Sequence, residues 1–169
     1  MADASDVRRL RAETGAGVMD CKRALDEAGG DFARAQALLA ERGQAKAAKT
    51  GEREAKEGLI EAYVHAGGKI GALVELSSET DFVARNPEFR ELARAIAMQV
   101  AAMSPRYVRD EDVPAQERDG AGSELVLLRQ PYIRDGSKTI GDLVTAFAAT
   151  TGENAQARRI ARFELGKAS

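Results

Sequence analysis

The 169 residues carry 25 basic and 27 acidic side chains, a formal charge of −2, so no whole-chain field draws the molecule to nucleic acid or to an anionic membrane, and neither is expected as a direct partner. With 44% apolar and 31% charged residues and a mean hydropathy of −0.36, the chain has enough apolar side chains for a core and is too polar for a membrane span. One histidine, His65, and one cysteine, Cys21, fall short of a zinc set, exclude an internal disulfide and disfavour Ser-His-Asp or Cys-His catalysis.

No cofactor and no enzymatic chemistry are therefore expected. MADASDVRRL opens without the apolar run of a secretory signal, and a reducing cytoplasm is the expected location.

The first 43 residues read as three short helices punctuated by glycine. Val7 and Leu10 start the first, which Gly15 ends. Along the second, Val18, Cys21, Leu25 and Ala28 recur at helical steps, and Gly29 and Gly30 supply the stop. Asp31 is the predicted N-cap of the third, whose stripe is Phe32, Ala35, Leu38 and Leu39 and whose predicted end is Gly43. Stripes this narrow can bury only one another, so residues 1–43 are expected to form one module.

Residues 44–57 (QAKAAKTGEREAKE) mix four basic and three acidic side chains with alanine and carry no apolar stripe. A solvated linker is predicted there, docked on neither neighbour and open to trypsin near Lys46, Lys49 or Arg53. From Gly58 the apolar period falls to about 2. Ile60, Ala62 and Val64 share one face, the turn AGGK follows, and Ile70, Ala72, Val74 and Leu76 share a face after it, which predicts a β-hairpin. Asn86, Pro87 and Glu88 then read as N-cap, first helical residue and first-turn acid of a helix with the stripe Phe89, Leu92, Ile96 and Val100.

Residues 104–123 are predicted to be a mostly irregular crossing, with a short strand at Tyr107 and Val108 as an option. Residues 124–129 (ELVLLR) fit a short strand or a helical turn, and QPYIRDG reads as a turn. Thr139 and Asp142 form a capping box for a helix with Ile140, Leu143, Val144 and Phe147 inward and Gly152 as its end. Finally Ala161, Phe163 and Leu165 alternate with Arg162 and Glu164, predicting a strand with the apolar set on a core. The expected fold class is α+β, with an N-terminal three-helix bundle (1–43), a linker (44–57) and a small α+β core with an antiparallel sheet packed on helices (58–169).

Few residues invite chemistry. TGAGVMDCK places glycines before a helix and a lysine within it, but around Lys22 the phosphate-loop pattern fails, with Cys21 before it and Arg23 after it. Met19 falls off the apolar stripe and points outward beside Asp20, as a partner contact or as edge packing. Cys21 reads as a small buried hydrophobe, and His65 as a surface imidazole. Arg158, Arg159 and Arg162 fall on at least two strand faces, which weighs against a phosphate clamp. In SSETDFVARN (77–86), Phe82 is the one phenylalanine outside a predicted core stripe, flanked by Asp81 and Val83. It is either a hydrophobic staple on the next helix or a wedge aimed at a partner.

At TGAGVMDCKRAL together with SSETDFVARN the chain resembles the elongation factor Ts family, guanine-nucleotide exchange factors of elongation factor Tu in translation. QPYIRDG, TIGDL, TGEN and RRIARFELG follow in the family's order, and the resemblance runs from about Asp6 to Lys167. It implies a ubiquitin-associated-like helical module and a factor that binds elongation factor Tu in its GDP-bound and nucleotide-free forms. It also implies that Thr80, Asp81, Phe82 and Val83 act as a wedge that dislodges Mg²⁺ from the GTPase so that GDP leaves and GTP rebinds. Residues around Arg11, Met19 and Asp20 are the implied grip of the N-terminal module. Long members have a duplicated core, and short members usually carry a helical insertion where this chain has only residues 115–123; a single core copy implies pairing with a second copy of the chain. Two other classes compete: a recognition module for ubiquitin-like or nascent chains, which needs the bundle surface but not Phe82, and a small hydrolase built on Asp81 and Glu79.

Overall fold

The computed structural model describes residues 3–120 and 122–167; Met1, Ala2, Ala121, Ala168 and Ser169, which belong to segments discussed above, lie outside the described residues. Helices α1 (Ala4–Thr14), α2 (Val18–Glu27) and α3 (Phe32–Thr50) form the N-terminal layer. Asp3 and Asp31 cap α1 and α3, accepting bonds from the backbone N–H of Ser5 and Arg34. Leu10, Cys21, Ala24, Leu25 and Ala35 are almost wholly buried among the three helices, a core of its own. Val18 departs from its predicted stripe: at the first position of α2 it is 48% exposed.

The predicted end of α3 at Gly43 is corrected by the structure. The helix runs through Gly43 to Thr50, carried by the good helix formers of QAKAAK. Gly43 serves packing instead: a Cβ there would stand 3.1 Å from the Cβ of Ala149, so its bare backbone lets α3 approach a helix of the second layer. The expectation of an undocked, solvated 44–57 segment falls with it. Ala47 packs on the second core, and Thr50 and Ala55 are buried. Side chains from the far end of the chain hold the intervening backbone: Asn154 Nδ2 donates to the carbonyls of Gly51 (3.1 Å) and Arg53 (2.6 Å), and Arg158 donates to that of Ala55 (2.9 Å). Charge mixture predicted solvation; backbone carbonyls, which composition does not advertise, supplied the docking.

The second layer is a three-stranded antiparallel sheet in the order β1 (Glu57–Val64), β2 (Ile70–Ser78), β5 (Ala155–Glu164). A four-residue helix α4 (Asp81–Ala84) and a long α5 (Pro87–Met103) follow the hairpin, and Asn86 caps α5 as predicted. Phe89, Ile96 and Val100 of α5 are fully buried against Ala72, Val74 and Leu76 of β2. Helix α6 (Ile140–Thr151), opened by the Thr139–Asp142 capping box, adds Ile140 and Val144 to this core and sets Phe147 against Phe89, ring centroids 5.5 Å apart and planes tilted by 51°.

Phe163 reverses its predicted face. It is 64% exposed, and Leu165 and, on β1, Ile60 and Val64 are exposed with it; the inward set is Leu59 and Tyr63 on β1 and Ile160 on β5. The physical reason is a bulge. Leu76 pairs with Ala157 and Glu75 with Arg159, so Arg158 is the extra residue and the alternation changes parity there. Before it Ala155 and Ala157 point inward; after it Ile160, Arg162 and Glu164 do, leaving Phe163 outside.

Between α5 and α6 the crossing is irregular, as expected, with 3-10 turns at Asp110–Asp112, Arg118–Gly120 and Leu127–Arg129 and a single parallel bridge from Tyr107 to Val126. QPYIRDG is more than a turn: it makes a small hairpin, β3 (Pro131–Tyr132) and β4 (Asp135–Thr139). Two fully buried amides fasten it. Gln99 donates to Gln130 Oε1 and to Pro131 O (both 3.1 Å) and accepts from Ile133 N (3.0 Å), while Gln130 donates to Glu124 O (2.6 Å).

Candidate functional site

Residues Thr80, Asp81, Phe82 and Val83 form one compact turn at the exit of β2. Thr80 is the N-cap of α4, and its Oγ1 accepts from the backbone N–H of Val83 at 3.3 Å. Ser78 Oγ donates to Thr80 O at 3.0 Å, tying the turn back to the strand. Val83 is buried in the second core, whereas its neighbour Phe82 is 84% exposed. One turn thus anchors on a valine and lifts a phenylalanine into solvent, and the staple option for Phe82 is closed because its ring is not packed on α5. Asp81 forms an ion pair with Arg85 at 2.9 Å, so a charged pair stands beside the ring.

The helical layer holds the other candidates. Arg11 is exposed in the last turn of α1, Met19 is exposed at the start of α2, and Asp20 pairs with Arg23 next to it. Cys21 lies fully buried beneath them, its Sγ 3.7 Å from Ala16 O. The groove lined by Asp20, Arg23, Asp26, Glu27 and Arg42 is bridged by the Asp20–Arg23 and Glu27–Arg42 ion pairs, a charged surface and not an apolar recess.

The family comparison decides the assignment. The family model "Elongation factor TS" matches residues 31–122. The chain is similar to the elongation factor Ts of Coprothermobacter proteolyticus, 46% identical over 193 aligned positions that span 97% of this chain and 98% of the relative. It is equally similar to those of Carboxydothermus hydrogenoformans (46% over 190 positions, 95% and 88%) and Rubrobacter xylanophilus (46% over 188 positions, 94% and 96%). The chain belongs to the elongation factor Ts family. Each alignment is longer than the 169 residues, so these relatives carry residues that this member lacks.

In this elongation factor Ts family member, two residues that build the 80–83 turn escaped sequence reasoning: Glu153 and Asn154, in the connection from α6 to β5. The Glu153 carboxylate takes both donors of Thr80, the N–H at 3.1 Å and the hydroxyl at 2.7 Å. Asn154 donates its backbone N–H to Glu79 at 2.7 Å, and Arg53 lies 3.6 Å from the same carboxylate. Gly152, at φ +76°, closes α6 in the left-handed conformation that aims this corner at the hairpin exit. The TGEN segment that holds both residues marked the place, and strand register gave the contact: Ser78 pairs with Ala155, so the residues just past one face those just before the other.

The same contacts weigh on the competing readings. Asp81 and Glu79 are each committed to a partner, Arg85 and the Asn154 N–H, and do not converge on a shared proton. His65 follows β1, exposed, with Nδ1 3.1 Å from the Tyr63 hydroxyl. Arg159 pairs with Glu75, and Arg162 donates to Ala101 O and to Glu164, so neither arginine is held out for phosphate. No described helix is long and apolar enough to cross a membrane.

Proposed function

We propose that this chain is a nucleotide exchange factor of translation elongation, acting in the cytoplasm on elongation factor Tu in its GDP-bound and nucleotide-free forms. The observation that carries the reading is the 84% exposure of Phe82 on a turn braced from both sides. An aromatic ring held in water costs about 1.5–3 kcal/mol of unrealised burial, which a partner pocket can recover. Thr80, Asp81, Phe82 and Val83 are the wedge: Phe82 enters the GTPase, and Asp81 stands where a carboxylate competes for, or repels ligands of, the Mg²⁺ that clamps the diphosphate. Losing the ion weakens every phosphate contact, so GDP leaves and GTP rebinds, and no covalent step is required of this chain. Arg11, Met19 and Asp20 are the grip of the helical module, whose separate core lies within residues 1–43, and the α+β core spans 58–169; residues 44–57, the last turns of α3 and the docked strap after them, join the two. Because coupling is reciprocal, the factor binds the nucleotide-free GTPase more tightly than the GDP complex.

The outer face of the sheet supports a second assignment, a homodimer. Ile60, Val64, Leu73 and Phe163 are exposed together on β1, β2 and β5, and the Glu75–Arg159 pair borders them. An apolar centre with a charged edge is the anatomy of a lasting interface, and two-fold symmetry closes it.

Release of labelled GDP from elongation factor Tu, with and without this protein, tests the function. Catalytic amounts should accelerate release many-fold. Tight binding without acceleration would favour a recognition module instead, and the hydrolase reading would require turnover in the absence of the GTPase.

A further inference from the structure

We propose that Glu153 and Asn154 are positioning residues for the 80–83 turn: their corner presets the direction in which Phe82 stands, and it couples that direction to the strap that ends α3. The inference rests on the wedge reading of Phe82 and goes beyond it, to residues that act on the turn from behind. Thr80 Oγ1 has a defined polarity. It donates to Glu153 Oε1 at 2.7 Å and, with the proton committed there, presents a lone pair to the Val83 N–H at 3.3 Å. The second carboxylate oxygen takes the Thr80 N–H at 3.1 Å, so both donors of the capping residue end on one carboxylate. A turn of four residues cannot hold its own orientation, because one helical turn forms too few bonds to repay the order it imposes. Orientation is supplied by Glu153 on one side and by burial of Val83 on the other.

Asn154 extends the device. Its backbone N–H binds Glu79 at 2.7 Å, one residue before the cap, while its side chain donates to the carbonyls of Gly51 and Arg53, the residues that follow α3. Arg53 closes the ring at 3.6 Å from Glu79. The corner therefore binds the hairpin exit and the end of the helix leading out of the N-terminal layer at the same time, and fixes the wedge relative to that layer. A wedge that is rigid before it meets its partner loses less conformational entropy on insertion.

The test combines a local probe with a double-mutant cycle. The chain holds no tryptophan, so Phe82→Trp reports the turn's motion without interference. Adding Glu153→Ala should lower the anisotropy of that tryptophan while the melting temperature stays close to that of the parent; unchanged anisotropy would overturn the positioning role. In the Phe82 background, Glu153→Ala should slow GDP release from elongation factor Tu by about tenfold, within the cost of misplacing a contact group by a fraction of an ångström. In the Phe82→Ala background the same change should cost less than about twofold, because a residue acting through the ring has nothing left to act on. Equal slowing in both backgrounds would mean that Glu153 acts elsewhere, and would sink the proposal. Glu153→Asp should lose the turn's order as Ala does, since the shorter arm cannot span both Thr80 donors, and Thr80→Val should reproduce Glu153→Ala. If Phe82→Ala releases GDP as fast as wild type while Glu153→Ala still frees the tryptophan, the wedge reading fails and the positioning of the turn stands.

Discussion

Phe82 and Phe163 are both exposed, 84% and 64%, yet their settings are opposite. Phe82 is a single ring on a four-residue helix, beside the Asp81–Arg85 pair and above the buried Val83. Phe163 lies in a row with Gly71 and Val64, next to the row of Ala161, Leu73 and Ala62, on the outer sheet face. One isolated ring offers too little area to hold a complex by itself, so it suits a contact made and broken in each cycle. A contiguous face accumulates burial from several side chains and suits a contact that persists. The difference teaches that the exposure of a residue says little until its neighbours are counted: the knob reads as an instrument, the face as half of an interface.

The largest expected effect is on the face. Phe163→Asp would remove an apolar anchor of the proposed dimer and place an unpaired charge where that dimer buries the face. Together these should weaken self-association by on the order of 4 kcal/mol, roughly a thousandfold. Sedimentation at micromolar concentration should show the wild type near twice 18.1 kDa and the variant near 18.1 kDa. A wild-type monomer at that concentration would mean that the exposed face has another occupant or none.

On the knob, Phe82→Ala should slow GDP release from elongation factor Tu by about thirtyfold, equivalent to a buried anchor of about 2 kcal/mol. Its melting temperature should hardly change, since the ring is not packed in the free chain. Asp81→Ala should act in the same direction. The wild-type advantage should also shrink as Mg²⁺ is chelated, because an ion already gone cannot be dislodged. A Phe82→Ala protein that exchanges as fast as wild type at saturating Mg²⁺ would make the knob no more than a solvated residue, and the contrast with Phe163 would collapse.

A smaller effect is expected where the two layers meet. Gly43→Leu inserts a side chain where even a Cβ would stand 3.1 Å from Ala149, and should destabilise the fold by about 1–3 kcal/mol through overpacking. Trypsin should spare Lys46 and Lys49 within α3 in the wild type and cut there more readily in the variant. Equal cleavage in both proteins would detach α3 from α6 and free the helical layer from the core that carries both phenylalanines.

How much of this was legible in the sequence depends on the range of the interaction. Caps are local, and Asp31, Asn86 and the Thr139–Asp142 box stood where residue type placed them. The α5 stripe was legible for the same reason: Phe89, Leu92, Ile96 and Val100 share one face whatever they pack against. The orientation of Phe163 was not, because the bulge at Arg158 is a property of the pair β2 and β5 and leaves no mark in β5 alone. Docking of 44–57 was hidden too, since its partners Asn154 and Arg158 lie about a hundred residues away. For the candidate site, the chain shows that Phe82 belongs to no stripe, but the corner that braces its turn follows only from register.

The smallest effect concerns the charges that hold the end of β5, and so the face that Phe163 presents. Glu164 accepts from Lys167 Nζ at 2.9 Å and from Arg162 Nη1 at 2.8 Å, and these bonds, Lys167 first, hold its carboxyl below the usual carboxylate range. Arg162 in turn donates to Ala101 O at the end of α5, so the cluster pins the inward parity of the strand. A carboxyl whose folded pKa is depressed contributes stability that is fully present above its unfolded value of about 4.3. That contribution disappears as pH falls from there through the folded value. The melting temperature should therefore be flat with respect to this group from pH 7 to pH 5 and decline below about pH 4.3. Glu164→Gln should lower it slightly at pH 7 and make the acid decline shallower. Because the cluster is solvent-accessible, added salt should narrow the difference between the two proteins. If both lose stability along the same acid profile, the Glu164 pairs add nothing to stability, and the end of β5 that carries Phe163 is held by the Arg162 bond to Ala101 O and the sheet register alone.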